Sequence, residues 1–378
     1  MADYHESFFD ESRPWSHLKN RILGSYMTPY LAKVSKRREK IILIDAFAGP
    51  GKMADDSPGS PLIICKAAEK HAQGKYKSFF FNIKLDHHKR LEATLEKGGY
   101  PSVRPIHGDA IAELTKLISS LRDETVFLYI DPYGLDCEFD VLIPLLNRNT
   151  EYSTEILINL HMPITHRLGS RKALGSEDSD ETRIISYHEK LTRAYGGEYW
   201  KDVLLSTEFD NAKDREKRLI ELYREKLAST GYLNFTGACP VREKDDSQTK
   251  YFMVFASPHP DALLLLNDNM CKSFNTFMHD QAVKNTFFAD SSWSDWRDPK
   301  KLQDVVVEYV DRYKGCNRKE IWQRIVQDHF MLFTSSEYKK AMKANCDSER
   351  IVCVTPIEKG GTRRTQRLND YCVFKVPE

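Results

Sequence analysis

The chain has 378 residues with 56 Lys and Arg against 55 Asp and Glu, a formal net charge of +1, and 41% hydrophobic residues. That balance excludes a largely disordered polypeptide and a global electrostatic pull toward nucleic acid, so any such binding falls to local patches. No apolar run approaches the roughly 20 residues of a membrane-spanning helix, and the acidic, aromatic start Met1 to Asp10 lacks the regions of a signal peptide, so a cytoplasmic protein away from membranes is expected.

The first element is a helix from Pro14 to Leu31, with Trp15, Leu18, Ile22, Tyr26 and Leu31 roughly on one side. A basic run, Lys33 to Lys40, follows it. Ile41-Ile42-Leu43-Ile44 then reads as a buried parallel strand ending in Asp45 and a Gly-Pro-Gly turn. The same pattern recurs down the chain. Phe79 to Leu85 ends in Asp86 before a helix from His88 to Lys97, and Val103 to Ile106 ends in His107-Gly108-Asp109 before a helix from Ala110 to Leu121. Val126 to Ile130 ends in Asp131-Pro132-Tyr133-Gly134, Val141 to Leu146 is helical, and Glu155 to Leu160 is a fifth strand. Strands alternating with helices predict an α/β fold, a mostly parallel Rossmann-like sheet with helices on both faces.

Beyond a polar stretch from Ser170 to Thr182, helices are expected over Ile184 to Tyr195 and Asp214 to Ser229. Tyr232 to Val241 and Lys250 to Ala256 have strand character, the paired last strands of a seven-stranded sheet. Trp293 to Pro299 reads as a linker. Lys301 to Tyr313, Arg318 to Phe330 and Ser335 to Asn345 then read as helices, and Ile351 to Thr355 and Tyr371 to Val376 as strands around a basic turn. Two domains are expected: residues 1–290, and a small winged-helix-like α+β domain over 300–378. The eight cysteines form no C-x-x-C pair and stand beside no histidine at ligand spacing, which suits reduced thiols and gives no support to a metal site.

In an open parallel sheet, ligands bind outside the carboxyl ends of the strands. Asp45, Asp86, Asp109 and Asp131 read as acids at four such ends. Asp is also a common helix cap, so any one of them alone is as readily structural; four in register point to a nucleoside-type cofactor. Gly49 and Gly51 let the backbone turn tightly against a ligand. A third glycine at the dinucleotide spacing is missing, and Lys52 is not followed by Ser or Thr as in a phosphate loop. Asp45-Ala46-Phe47-Ala48-Gly49-Pro50-Gly51 instead resembles the D-x-F-x-G-x-G phrase of Rossmann-like methyltransferases. Asp131-Pro132-Tyr133-Gly134 resembles the D-P-P-Y motif of enzymes that methylate exocyclic amino groups, and more closely the D-P-F-G of tRNA guanine N2-dimethyltransferases. In such a site an oxygen accepts from the target NH2 and directs its lone pair, the proline stiffens the turn and the ring stacks on a flat substrate. A Pro-Gly turn closing a buried strand, with Tyr133 as packing, is the other reading.

The chain also resembles the three-Cys-motif partner proteins, through His17-Leu18-Lys19 with Leu23 and Tyr26, through Ile44 to Gly51 and Ser57 to Leu62, and through Ile130 to Gly134 and Tyr251 to Ser257 with His259-Pro260. The resemblance implies a methyltransferase-like fold in bacteria, encoded beside a phage-type protein that carries the three cysteines and is the expected partner. Where that family's second strand ends E-x-D, this chain has Lys84-Leu85-Asp86, which leaves Asp86 as the ribose ligand.

An S-adenosylmethionine-dependent methyltransferase acting on an amino group, as of a nucleic-acid base, is therefore expected. Asp45, Phe47, Ala48, Gly49 and Gly51 would form the cofactor loop. Asp86 would take the ribose, Asp109 and Ala110 the adenine, and Asp131 the substrate nitrogen. Two other functions stay open: a non-catalytic member of a phage-related or defence gene pair, and a nucleic-acid-binding regulator. Nucleic acid would meet Lys33, Lys36, Arg37 and Arg38, or Arg363, Arg364 and Arg367, although a solvated charged face explains either cluster. Trp322 and Tyr338 read as core, and His161, after the fifth strand, as a polar residue near the substrate pocket.

Overall fold

The computed structural model describes residues 14–148, 151–170, 181–209, 211–242, 248–284, 298–354 and 370–377. Contacts divide the chain into two units, Met1–His259 and Pro260–Glu378. Arg363, Arg364, Arg367, most of the Ser170 to Thr182 stretch, the hairpin tip at 243–247 and most of the expected linker lie outside the described residues.

The first unit opens with α1 (Pro14–Val34) and β1 (Ile41–Asp45), then α2 (Ser60–Ala72), β2 (Tyr76–Asn82), α3 (Leu85–Gly98), β3 (Val103–His107), α4 (Ala110–Ser120) and β4 (Thr125–Ile130). A short 3-10 turn leads into α5 (Ile143–Leu146), β5 (Thr154–His161), α6 (Met162–Leu168), α7 (Glu181–Tyr195), α8 (Trp200–Leu204), α9 (Ala212–Ala228), β6 (Phe235–Val241) and β7 (Tyr251–Ser257). The seven strands form one sheet in the order β3-β2-β1-β4-β5-β7-β6. The first five strands run parallel, and β7 pairs antiparallel with both β5 and β6. This is the strand order of the Rossmann-like methyltransferase sheet.

Side chains alternate across each strand, so the two sheet faces carry different residues. Ile42, Ile44, Val126, Leu128, Ile130, Ile156 and Ile158 belong to one core cluster, together with Leu114 of α4, Leu191 of α7 and Tyr223 of α9. Phe127 and Phe255 lie on the opposite face beneath α1, where Tyr26 meets their rings at 6.1 and 5.5 Å and Tyr30 meets Phe127 at 5.4 Å. Coverage on both faces explains why the parallel strands read as continuous apolar runs.

The end of β2 differs from its expected position, whereas that of β3 agrees to within one residue. β2 closes at Asn82, and Asp86 falls in the first turn of α3. β3 closes at His107, and Asp109 is the N-cap of α4, its side chain accepting from the Ala112 amide at 2.8 Å. Asp45 ends β1, Asp131 and Asp109 stand just beyond β4 and β3, and only Asp86 lies within a helix. Helix α2 was not expected from sequence, because Gly59, Ser60 and Pro61 open it as N-cap, N1 and N2 and read locally as loop.

The second unit holds α10 (Pro260–Lys284), α11 (Leu302–Arg312), α12 (Arg318–Asp328), α13 (Ser335–Asp347), β8 (Val352–Cys353) and β9 (Phe374–Lys375), the last two antiparallel. Helix α10, ahead of the stretch expected to be the linker, belongs here. Its buried Asn267 donates to the Phe333 carbonyl at 2.8 Å and accepts from the Met331 amide at 2.7 Å, while Leu266 and Met270 are buried beside it. Trp322 and Tyr338 stack at 4.8 Å and are buried, as a core pair should be. Among the described residues, no helix is long and apolar enough to cross a membrane, and no two of the eight cysteines form a disulfide.

Candidate active site

β1 and β4 are neighbours, and the chain proceeds from them in opposite directions across the sheet. The crevice at their carboxyl ends is the switch point where open α/β sheets bind ligands. Asp45 ends one of these strands and Asp131 follows the other.

Asp45 is fully buried. Its Oδ1 accepts from the Phe47 amide at 3.2 Å, and its buried Oδ2 has no hydrogen-bond partner. Burial pushes its carboxyl up to about 7, reinforced by the nearby Asp131 charge and opposed by Ser60, Phe47 and Lys19. A buried acceptor of this kind is costly unless something satisfies it, so it marks a place for a donor. The loop beyond it is tightly folded. Gly51 has φ +87°, its carbonyl accepts from the Gly59 amide at 2.9 Å, and a Cβ on Gly59 would come within 3.1 Å of that oxygen. The turn therefore delivers the chain from Asp45 directly to the start of α2.

The rest of the expected cofactor loop is close by. Phe47 is half-buried, Ala48 is buried and donates to the Phe81 carbonyl at 3.0 Å, and the Gly49 carbonyl accepts from Asn82 at 3.4 Å. Asp86 is exposed, with Arg90 at 3.9 Å, and Asp109 is exposed beside buried Ala110. Ile83 and Leu85, between β2 and Asp86, are also exposed, Ile83 at 69%.

Asp131 is met by a residue to which sequence reading gave no role. Lys19, on α1, is 4% exposed and donates to both carboxylate oxygens, at 2.9 and 2.7 Å. Its ammonium also lies 4.3 Å from the centre of the Tyr251 ring. Burial lowers the Lys19 pKa, but Asp131 and Tyr251 more than offset this and the net shift is upward. The sequence signal was a lysine beside Leu18 and within the stripe of Leu23, Tyr26 and Tyr30, all buried. Asn159 of β5 donates to the Tyr129 hydroxyl at 2.9 Å, and that hydroxyl lies 3.4 Å from Asp131.

Pro132 and Gly134 are buried and Tyr133 is half-buried. Gly134 has φ +93°, and a Cβ there would meet Ile164 at 3.2 Å. His161 closes β5 and caps α6, its Nδ1 accepting from the Ile164 amide at 3.2 Å. Burial and then Lys19 hold its pKa down to about 4, so the imidazole is neutral, with its proton on Nε2.

The basic run does not join this site. It precedes β1 and therefore lies at the amino ends of the parallel strands, opposite the carboxyl ends where Asp45 stands. Lys33, Lys36 and Arg38 are exposed there, whereas Arg37 is tied to Glu39 at 3.2 Å and to the Glu151 carbonyl at 2.9 Å.

A sheet of this order with two acids flanking its switch point defines a Rossmann-like α/β protein with a methyltransferase-type strand arrangement. No family model matches the chain, and no curated protein sequence matches it. Among solved structures it is similar to Trm5b from Pyrococcus abyssi at 13% identity, with 61% of this chain and 48% of that chain covered and a TM-score of 0.29. It is also similar to an rRNA methylase from Streptococcus thermophilus, at 12% identity, 61% and 92% coverage and a TM-score of 0.28. For M. jannaschii TYW2 in complex with AdoMet the identity is 11%, the coverage 61% and 75%, and the TM-score 0.28. The chain spans about half the length of Trm5b. The strand order itself, rather than these likenesses, carries the class.

Proposed function

We propose that this protein is an S-adenosylmethionine-dependent methyltransferase that acts on an amino group, with a nucleic-acid base as the favoured substrate. The observation that carries the reading is the unsatisfied buried oxygen of Asp45 beside the Gly49–Gly51 turn, facing Asp131 across the switch point. The donor set fits the cofactor. Its amino-acid end brings an ammonium for Asp45 and a carboxylate for the uncapped amides at the start of α2. Asp86 would accept from the ribose hydroxyls with exposed Ile83 against the base, and Asp109 from the adenine amine beside the Ala110 amide. When bound, the cofactor supplies an electrophilic methyl group on a sulfonium.

The protein's own part is orientation. Asp131 would accept a hydrogen bond from the incoming amine and turn its lone pair toward the crevice. A carboxylate has about four acceptor positions; Lys19 uses two and the Tyr129 hydroxyl, at 3.4 Å, a third, so one remains for an amine. Half-buried Tyr133 would lie against a planar substrate, and Pro132 and Gly134 fix the turn that carries it. Titration calorimetry with S-adenosylmethionine is expected to give binding by the wild type and a loss of roughly ten- to a hundredfold for Asp45→Asn. A labelled-methyl assay on total RNA, DNA and protein is expected to mark a nucleic acid and to fail with Asp131→Ala. Absence of cofactor binding by the folded wild type would sink the reading.

A further inference from the structure

Lys19 is a buried cation bound directly to the carboxylate assigned to the substrate amine. We propose that Lys19 determines specificity at this site: by neutralising Asp131 it admits uncharged amino groups and excludes protonated aliphatic amines. This rests on the reading of Asp131 as the amine acceptor.

The argument is one of local charge. The ammonium of Lys19 contacts both Asp131 oxygens, at 2.9 and 2.7 Å, so the pair carries no net charge. An uncharged NH2 needs only a free acceptor position, and the partly exposed carboxylate retains one. A protonated amine must also shed its hydration, and it would do so next to a cation already fixed on the same carboxylate. Among the described residues, no further carboxylate beside the pair is left over to compensate that desolvation. His161 is neutral, Tyr251 already faces the Lys19 ammonium at 4.3 Å, and Asp45, pushed up to about 7 by burial, is the acceptor assigned to the cofactor's ammonium. Lys19 cannot easily move aside, because it is 4% exposed on a helix anchored by buried Leu18, Ile22, Leu23 and Tyr26.

Removing the cation should therefore convert the site into a receptor for cationic amines. The full chain would be titrated at pH 6 with n-butylammonium and with cytosine, in the presence of S-adenosylhomocysteine and in its absence, and followed by NMR line shifts. Wild type and Lys19→Arg are expected to respond to cytosine and to exclude n-butylammonium. Lys19→Met should gain affinity for n-butylammonium by roughly tenfold or more, from an unopposed carboxylate. Lys19→Gln preserves a hydrogen bond to Asp131 while removing the charge, so it makes the same prediction if Lys19→Met does not fold. A folded Lys19→Gln that binds n-butylammonium no better than wild type overturns the proposal, as does a wild type that already binds it. These titrations involve no methyl transfer, so a failure of S-adenosylmethionine to bind the same samples would count against the methyltransferase reading alone.

Discussion

The same residue type does different work at the ends of this sheet. Asp45 is buried with one oxygen unpartnered, Asp131 is clamped by Lys19, and Asp109 is an exposed helix cap. Capping and ligand binding can coexist at Asp109, because the Ala112 amide engages only Oδ1. The two roles separate by substitution. Asp109→Ala should lose about 1 kcal/mol of stability with the cap and weaken S-adenosylmethionine binding. Asp109→Asn should keep the cap, since Asn caps as well as Asp, and weaken only the binding; melting curves and calorimetry on both variants check this. Equal binding by Asp109→Asn and wild type would make Asp109 a cap alone. Asp45 and its glycines are legible from sequence because four apolar residues and a turn frame them. The helical position of Asp86 is not, since a carboxylate at a strand end and one at a helix start differ by only a few residues. Lys19 escapes notice for another reason: its partner is far along the chain, on a different element.

At the level of elements, α1 both supplies Lys19 and seals one face of the sheet. It is fastened by Tyr26, whose hydroxyl donates to Glu155 near the start of β5. Burial, opposed by the Tyr26 hydrogen bond and by Lys33 and Arg37, pushes the Glu155 carboxyl up from 4.5 to about 7. Between those values the folded chain holds a proton that the unfolded chain has released, so this residue's contribution to stability falls as pH rises and levels off above about 7. His161 acts in the opposite sense, since its pKa is lowered from 6.5 to about 4 and stability is lost as pH falls through that interval. A wild-type pH profile mixes the two, whereas a difference against Glu155→Gln isolates the carboxyl. Glutamine can still accept from Tyr26 without the buried charge. Its unfolding free energy, from denaturant titrations, should match wild type near pH 4 and exceed it above pH 7, by an amount on the order of 3 kcal/mol at most. A pH-independent difference would mean that packing, not ionisation, governs the contact. The alternating strands and helices of this unit are legible because their periodicities differ. Glu155 is legible as an anomaly, an acid inside an apolar strand, but the helix that satisfies it is not.

For the whole molecule, the division at His259 places every residue of the candidate site in the first unit, from Lys19 to Tyr251. The second unit has a core of its own, in which Val306, Ile321, Ile325, Met342 and Phe374 are buried. Its α13 buries Tyr338, Ala341 and Met342 and leaves Lys339, Lys340 and Lys343 exposed, so its outward side is rich in lysine, with Asp370 close to Lys339. A winged-helix-like domain, proposed from the order of three helices and a two-stranded ladder, would use such a side against phosphates. Cutting the chain between His259 and Pro260 should therefore separate cofactor binding from the proposed nucleic-acid binding. Residues 1–259 should bind S-adenosylmethionine as the full chain does, because no ligand contact is removed. Residues 260–378 should bind RNA or DNA, with affinity falling as salt rises at a slope set by the number of phosphates neutralised. Replacing Lys339 and Lys343 by Ala should lower that slope by about two and weaken binding uniformly across sequences, as expected of contacts that position and do not read bases. A folded fragment that binds no nucleic acid at low salt would leave the basic side of α13 a solvated surface, and substrate capture would then fall to the first unit.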